Sequence, residues 1–421
     1  MAEHQYVSIA PLLKQLTDAS TSKDVRAEDI AAAIALLFDN LLSTEQCGCL
    51  LGALRLTGRD RKADLIAMTA ARMRDAAFQV DQKGLRQTIA KRGRREGSYR
   101  GGLCDIVGTG GDGHSTFNVS TASSIVASSL LLISKHGSKA SSSKSGSSDM
   151  LQAIAPRAPQ IEAVTADTLP KVYEKGNYAF LFAPIFHSAM KHVAPIRKTL
   201  GFPTIFNVLG PLVNPVESML ETRICGVLKR SLGPVYAEAL RLGGARKALV
   251  VCGAEDMDEI SCAGKTYCWR LSEKSKGSKS DGDSTSDEED LSPESVEIDT
   301  FGLEPSDFGL PTHSLEEVRP GKGPGENAEI LVKMLNNELP RDDPVLHFVL
   351  MNTAALFVMS GICDANTTDM GEGDSRDVIT ETGSGGGRWK EGVRRARWAI
   401  ESGAARKQLE QFIAMTKELA G

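Results

Sequence analysis

The chain has no apolar run near the ~18 residues that a membrane-spanning helix needs; its greasiest stretch, 125–134, is broken by serines. It has no CxxC: eight cysteines are scattered over 421 residues, the closest pair being Cys47 and Cys49. That spacing offers neither a disulfide framework nor a zinc site, and reads as reduced thiols of the cytoplasm. Positive charge is not in excess, with 49 Lys and Arg against 54 Asp and Glu and a net charge of −5. Such a balance argues against a dedicated nucleic-acid binder. The first residues are polar, include Glu3, and carry neither a secretory core nor acid-free transit character. What the chain has in plenty is glycine, 40 residues, many of them between 101 and 146. With 41% hydrophobic and 24% charged residues the composition is globular, and the length predicts about two to three domains.

The first ~75 residues read as helices. Ile9, Leu12, Leu13 and Leu16 form one stripe, and Ile30, Ile34, Leu37 and Leu41 another. Ser43 to Gln46 fits a capping box, followed by Cys47, Leu50, Leu51 and Leu54, with Gly58 as a stop. The boundaries expected are a small helical domain at 1–78, a basic linker at 79–101 and a large α/β domain at 102–421. Short apolar strands are expected at 103–107, 131–134, 179–182, 224–227 and 248–252, with helices between most of them. That alternation predicts a mostly parallel central sheet. Helices are expected at 120–129, 327–335, 346–359 and 388–416, and a loop at 364–387. Residues 272–290 hold no apolar side chain, so a disordered insertion is expected over 272–297. Within it Ser284 and Ser286 each precede an acid by three positions, a weak phosphorylation signal.

Four segments carry chemistry. Gly108-Thr109-Gly110-Gly111-Asp112-Gly113 follows a strand, and Asn118-Val119-Ser120-Thr121 opens a helix. Glycine lets backbone N–H groups approach a ligand, and a helix N-terminus adds donors and a positive dipole end. The pair makes an anion cradle, distinct from a Walker loop or a dinucleotide fingerprint. Lys135-His136-Gly137-Ser138-Lys139, then Ser141-Ser142-Ser143 and Ser147, follow another strand and supply cationic and hydroxyl donors for a second phosphate. A flexible serine-rich loop is the alternative. Arg197 sits in a helical stretch with His187 upstream and Phe206-Asn207-Val208-Leu209-Gly210-Pro211-Leu212 downstream. It is either a carboxylate partner or a surface arginine, and His187 reads better as a core histidine than as a catalyst. Glu255-Asp256-Met257-Asp258-Glu259 follows the last parallel strand, where ligands bind in α/β sheets. Its hard oxygens suit Mg²⁺, and a solvated acidic turn is the other reading.

Together, and in this order, these segments resemble the anthranilate phosphoribosyltransferases, enzymes of tryptophan synthesis with a class III nucleoside-phosphorylase-like fold. The resemblance runs from about residue 8 to 418. It implies transfer of the phosphoribosyl group of phosphoribosyl pyrophosphate to the amino group of anthranilate. It implies phosphoribosyl pyrophosphate contacts at Gly108, Gly111, Asp112, Thr116, Asn118, Val119, Ser120, Thr121, Lys135, His136, Gly137, Ser138, Lys139, Ala140, Ser141, Ser142, Ser143 and Ser147. It further implies anthranilate contacts at Gly108, Ser138 and Arg197, and Mg²⁺ on Ser120, Asp258 and Glu259. No general base or nucleophile is implied. A homodimer through the helical domain is expected, with helices near 184–202 packed onto that domain and no nucleic-acid or membrane partner. Where the family usually has Asn, Arg and Gly, this chain has Ser138, Lys139 and Asp256. Asp256 would add negative charge beside the metal pair. A pyrimidine nucleoside phosphorylase and a non-catalytic nucleic-acid-binding relative are the rival readings.

Overall fold

The computed structural model describes residues 6–140, 145–274 and 292–421. Its centre is a seven-stranded sheet of order β3-β2-β1-β4-β5-β6-β7. The strands are β1 (Leu103–Gly108), β2 (Leu132–Gly137), β3 (Tyr178–Phe182), β4 (Leu220–Gly226), β5 (Ala248–Gly253), β6 (Thr266–Glu273) and β7 (Val296–Leu303). Strands β1 to β5 are parallel, and β6 and β7 add an antiparallel edge. Five strands lie at the expected apolar runs. Near-continuous burial of β2, β3 and β5 explains why they read clearly.

The strands sort their side chains into two cores. In β5, Leu249 and Val251 face one core, while Ala248, Val250 and Cys252 face the other, as a period of two requires. The first core holds the helices Val119–Ala127, Pro344–Ser360 and Trp389–Glu401. The second takes in Leu16, Ile30, Ile34, Leu50 and Leu54 from the N-terminal helices, together with Val193, Ile205 and Phe206. The helix Met190–Leu200 packs against Ala27–Phe38 and Thr44–Leu56.

Several local expectations change. Ser43 caps Thr44–Leu56 through the Gln46 N–H at 3.4 Å. Gln46 does not reach back as a capping box requires; its amide accepts from Ile9 N–H at 2.6 Å and donates to the Val7 carbonyl at 3.1 Å. The basic stretch contains a helix, Gln82–Arg92, capped by Asp81 and anchored by buried Leu85 and Ile89. Two apolar side chains make too thin a stripe to stand out in the sequence. Arg94 is held by the Asp369 carbonyl at 2.7 Å and is not freely solvated. The insertion is narrower than expected, because Ser272 pairs with Glu297 and Glu273 with Val296 in the β6–β7 ladder. Ser284 and Ser286 lie outside the described residues. The last helical stretch is two helices, Trp389–Glu401 and Ala404–Leu419, divided at Gly403, whose φ is +73°.

The chain crosses from β1 to β2 and β3 on one side, then returns to β4 on the other. Strand order therefore reverses between β1 and β4, and a crevice opens beyond their carboxyl ends. Gly108 and Gly226 end these two strands and pair with each other in register.

Candidate active site

Three loops meet at this crevice. The first follows β1, and Gly110, Gly111 and Gly113 in it have φ between +70° and +84°. That left-handed backbone turns N–H groups toward the acidic loop. Gly110 N–H donates to Asp258 Oδ2 at 2.6 Å, and Asp112 accepts from Asp258 N–H at 3.3 Å and from His114 N–H at 3.0 Å. The His114 ring adds a contact of 2.8 Å from Nε2 to the Glu255 carbonyl. The loop ends at helix Val119–Ala127, where no side chain caps the first turn. Glu259 instead accepts the Ser120 N–H.

The second loop follows β2. Both of its ends are tied to one carboxylate oxygen: Asp149 Oδ2 accepts from Ala140 N–H at 2.9 Å and Gly146 N–H at 2.8 Å. Ser138 and Lys139, just before the first tie, are exposed, and Ser141, Ser142 and Ser143, between the two, lie outside the described residues. The two loops are joined at their helix starts. Asn118 donates to the Ser145 carbonyl at 2.9 Å, Thr121 Oγ1 donates to Ser147 Oγ at 2.8 Å, and Asn327 holds Asn118 at 3.2 Å. Val119 is buried, and Gly111 and Thr116 keep some exposure. Gly137 is required by packing, because a Cβ there would meet the Phe180 ring at 2.8 Å.

Lys135 is buried and donates from Nζ to the Ile106 carbonyl at 2.7 Å. Burial pushes its pKa down, opposed by the charges of Asp105, Glu259 and Asp258. The carboxylates feel the converse. Burial and then the Asp112 charge push Asp258 up to about 7. Burial, then Asp258 and Asp112, push Glu259 well above the carboxylate range, with Lys135 opposing. Glu259 Oε2 is buried without a partner. Lys135 is the one cation acting on the pair, its charge does not offset their burial, and a divalent cation fits them. Among the described residues no three His, Cys, Asp or Glu side chains form a closed metal cage. Mg²⁺ needs none, since it takes one or two carboxylates and completes its shell with substrate phosphates and water.

His136 and Arg197 are placed less directly. The His136 ring is buried against His187, with centroids 5.2 Å apart, and its Nδ1 lies 3.3 Å from the Gly210 carbonyl. Burial, then His187, holds His136 well below its ordinary pKa; burial takes His187 to about 4. His187 is a core histidine, bonded to the Val213 carbonyl at 2.8 Å. The other ring nitrogen of His136, Nε2, is buried without a hydrogen-bond partner. Arg197 donates to Asn207 Oδ1 at 3.2 Å and lies over the Phe206 ring at 5.8 Å. It has no acidic partner among the described residues, and burial lowers its pKa. No hydrogen bond joins it to Gly108 or Ser138; the 204–213 segment links it to His136 through Gly210.

Residues 100–406 match the family model described as the glycosyl transferase family, a/b domain. The anthranilate phosphoribosyltransferase of Schizosaccharomyces pombe is 36% identical over 392 residues, 93% of each chain. The Saccharomyces cerevisiae enzyme, solved in complex with PRPP and Mg, superposes with a TM-score of 0.76 at 33% identity, covering 98% of this chain and 99% of that one. The chain belongs to the anthranilate phosphoribosyltransferase family. A Thermus thermophilus anthranilate phosphoribosyltransferase is also similar, at TM-score 0.69 and 31% identity over 93% of this chain.

Within this anthranilate phosphoribosyltransferase fold, the structure adds residues that the sequence reading passed over. Gly226 is one, since a Cβ there would strike the Asp258 carbonyl. Asp105 is another, buried and held by Asn214 Nδ2 at 3.0 Å. Asp149, Asn327 and His114 complete the set. Asp256, where the family usually has Gly, does have positive φ, +63°. Its carboxylate accepts the Arg230 N–H at 3.2 Å.

Proposed function

We propose that this crevice transfers the phosphoribosyl group of phosphoribosyl pyrophosphate to the amino nitrogen of anthranilate, releasing pyrophosphate. The single observation that carries the reading is the Asp258–Glu259 pair. It lies at the strand switch point, wedged between a glycine loop and a helix N-terminus, with an unpartnered buried oxygen.

The aromatic amine attacks C1 of the ribose with its lone pair, so no side chain has to deprotonate it first. The barrier lies in departure of a polyanion while positive charge grows on the sugar. Fixed donors and charges aimed at the leaving group are then the main source of rate. Ser120, Asp258 and Glu259 would hold Mg²⁺, which supplies charge neutralisation for pyrophosphate when bound. The N–H groups of the 108–113 loop and the first turn at Val119–Thr121 bind phosphate oxygens. Ser138, Lys139, Ala140 and Ser147 receive the other end of the substrate, together with the undescribed Ser141, Ser142 and Ser143. Lys135 supplies fixed positive potential from beneath. Arg197 orients the anthranilate carboxylate, with Gly108 and Ser138 toward the acceptor. Ser138 offers a hydroxyl in place of an amide.

The division into a helical domain at 1–78 and a catalytic domain at 102–421 belongs to the same reading, as does a homodimer through the helical side. Among the described residues, Tyr6, Val7, Leu56, Phe78 and Phe202 are large apolar side chains left exposed there. A cytoplasmic enzyme fits the eight free cysteines. No helix among the described residues is long and apolar enough to cross a membrane.

Anthranilate fluorescence tests the reaction. Adding phosphoribosyl pyrophosphate should quench it only when Mg²⁺ is present, and Asp258→Asn with Glu259→Gln should abolish the loss. No quenching by folded protein would discard the acceptor.

A further inference from the structure

We propose that His114 is a positioning residue that latches the glycine-rich loop onto the acidic loop and so holds the Asp258 carboxylate in place. The inference rests on the functional reading above and adds a residue that takes no part in the chemistry.

The glycine loop needs such a latch. Three of its glycines have left-handed backbone, and a Cβ at Gly110, Gly111 or Gly113 would meet nothing within 4 Å. Packing therefore does not hold this stretch in place. Thr109 is tied to the segment after β4, its N–H donating to the Gly226 carbonyl at 3.0 Å and its hydroxyl accepting the Leu228 N–H at 3.1 Å; beyond it, the loop's contacts run to one short segment. Gly110 N–H reaches Asp258 Oδ2, Asp112 Oδ2 takes the Asp258 N–H, and His114 Nε2 reaches the Glu255 carbonyl at 2.8 Å. The second ends on the Asp258 backbone N–H, and only the first uses the carboxylate and loosens when it moves. The His114 contact uses no atom of Asp258. It ends on a backbone carbonyl three residues before Asp258. Glu255 is itself anchored, its carboxylate accepting from the Ser261 hydroxyl. The carbonyl can only accept, so Nε2 carries the proton. Asp112 Oδ1 accepts the His114 N–H at 3.0 Å and fixes the loop's other side. His114 thus reaches the acidic segment without touching Asp258, which the Gly110 and Asp112 contacts both do.

A single neutral hydrogen bond moves an equilibrium by about 2- to 10-fold. His114→Leu should raise the KM for phosphoribosyl pyrophosphate and the Mg²⁺ concentration for half activation by about that factor, with kcat and the KM for anthranilate nearly unchanged. His114→Gln places an amide N–H at a similar reach and should recover most of the loss. Two readouts need no turnover. Calorimetric binding of phosphoribosyl pyrophosphate with Mg²⁺, without anthranilate, should weaken in parallel. Amide exchange over 108–118 in ligand-free enzyme should quicken in the Leu variant and not in the Gln variant.

Wild-type enzyme run alongside separates the two questions. If it fails to consume anthranilate, the reaction is wrong, and the exchange data still decide the latch. If His114→Leu matches wild type in exchange and binding, or if Gln rescues neither, the latch is overturned. A rise in the KM for anthranilate as large as that for phosphoribosyl pyrophosphate also overturns it. Should the Leu variant melt early, His114→Ala beside His114→Gln makes the same comparison.

Discussion

The Asp258 carboxylate occupies the space that a side chain on Gly108 would need: a Cβ there would overlap Asp258 Oδ2 and lie 2.8 Å from its Cγ. Gly108→Ala should therefore push the carboxylate off the Gly110 N–H, now 2.6 Å away. The main obstacle is a side chain, and the Asp258 carbonyl at 3.1 Å has to give only slightly, so the fold should survive. Turnover should fall, and the Mg²⁺ needed for half activation should rise by about tenfold or more, the worth of one charge-assisted bond. Gly226→Ala is a different case, since there the obstacle is the Asp258 backbone. That variant should lose stability by about 1–3 kcal/mol or more, as overpacking does. Melting curves and Mg²⁺ titrations of both variants check the contrast. A Gly108→Ala enzyme with a normal Mg²⁺ titration would break it.

Asp258 also sets a pH dependence. Its ordinary value is 3.8, and the fold raises it to about 7. Between those values the folded protein holds a proton that the unfolded chain has released. The contribution of this group to stability is therefore full below about pH 4 and is lost as pH rises through 7. Glu259 shifts in the same direction. A divalent cation takes the ionised pair and cancels the loss. Mg²⁺ should raise the melting temperature more at about pH 8 than at about pH 5.5. Asp258→Asn with Glu259→Gln should flatten that difference. A Mg²⁺ shift equal at both pH values would detach the cation from these residues.

How legible each part was follows from where its partners lie in the chain. The five parallel strands were readable because buried apolar runs need no partner to be recognised. Strands β6 and β7 were missed because charged residues interrupt them, at Arg270 and Glu273 in β6 and at Glu297 and Asp299 in β7, and because they flank the charged, serine-rich segment that begins at 272. The loops of the site were readable because glycine, lysine and acid motifs are local. His114 was not, because its partner Glu255 is 141 positions away. Asn327 is 209 positions from Asn118, and no pattern near either residue signals the pair. The positive φ of Asp256 was half visible, in that glycine usually stands there in the family. The direction of its carboxylate depended on Arg230 and could not be read.

Arg197 should govern the acceptor alone. Its guanidinium is partly desolvated and, among the described residues, bonds to Asn207 and lies over the Phe206 ring with no acidic partner, so a carboxylate need not displace a rival anion. A charge-assisted pair with bidentate geometry is worth about 1.5–3 kcal/mol. Arg197→Ala should raise the KM for anthranilate by about 10- to 150-fold and leave that for phosphoribosyl pyrophosphate in place. Arg197→Lys should recover little, because the fork is lost. Steady-state kinetics with each substrate varied in turn decides it. Equal effects on both substrates would move Arg197 out of the acceptor site.

Asp256 offers a stabilising substitution beside the site. Its φ of +63° is left-handed, a conformation that is strained for a side-chain-bearing residue and free for glycine. Asp256→Gly removes that strain and adds some unfolded-state entropy, which works against it. It also removes the acceptor for the Arg230 N–H at 3.2 Å, a long bond on an exposed turn where water can replace the carboxylate. The strain term is the larger, so the melting temperature should rise by about 1–3 °C for a chain of this size. Because the Asp256 carboxylate faces Arg230, the Mg²⁺ titration should not move. A lower melting temperature would show that Asp256 holds the Arg230 turn. A shifted Mg²⁺ titration would show that its charge reaches the Asp258–Glu259 pair after all.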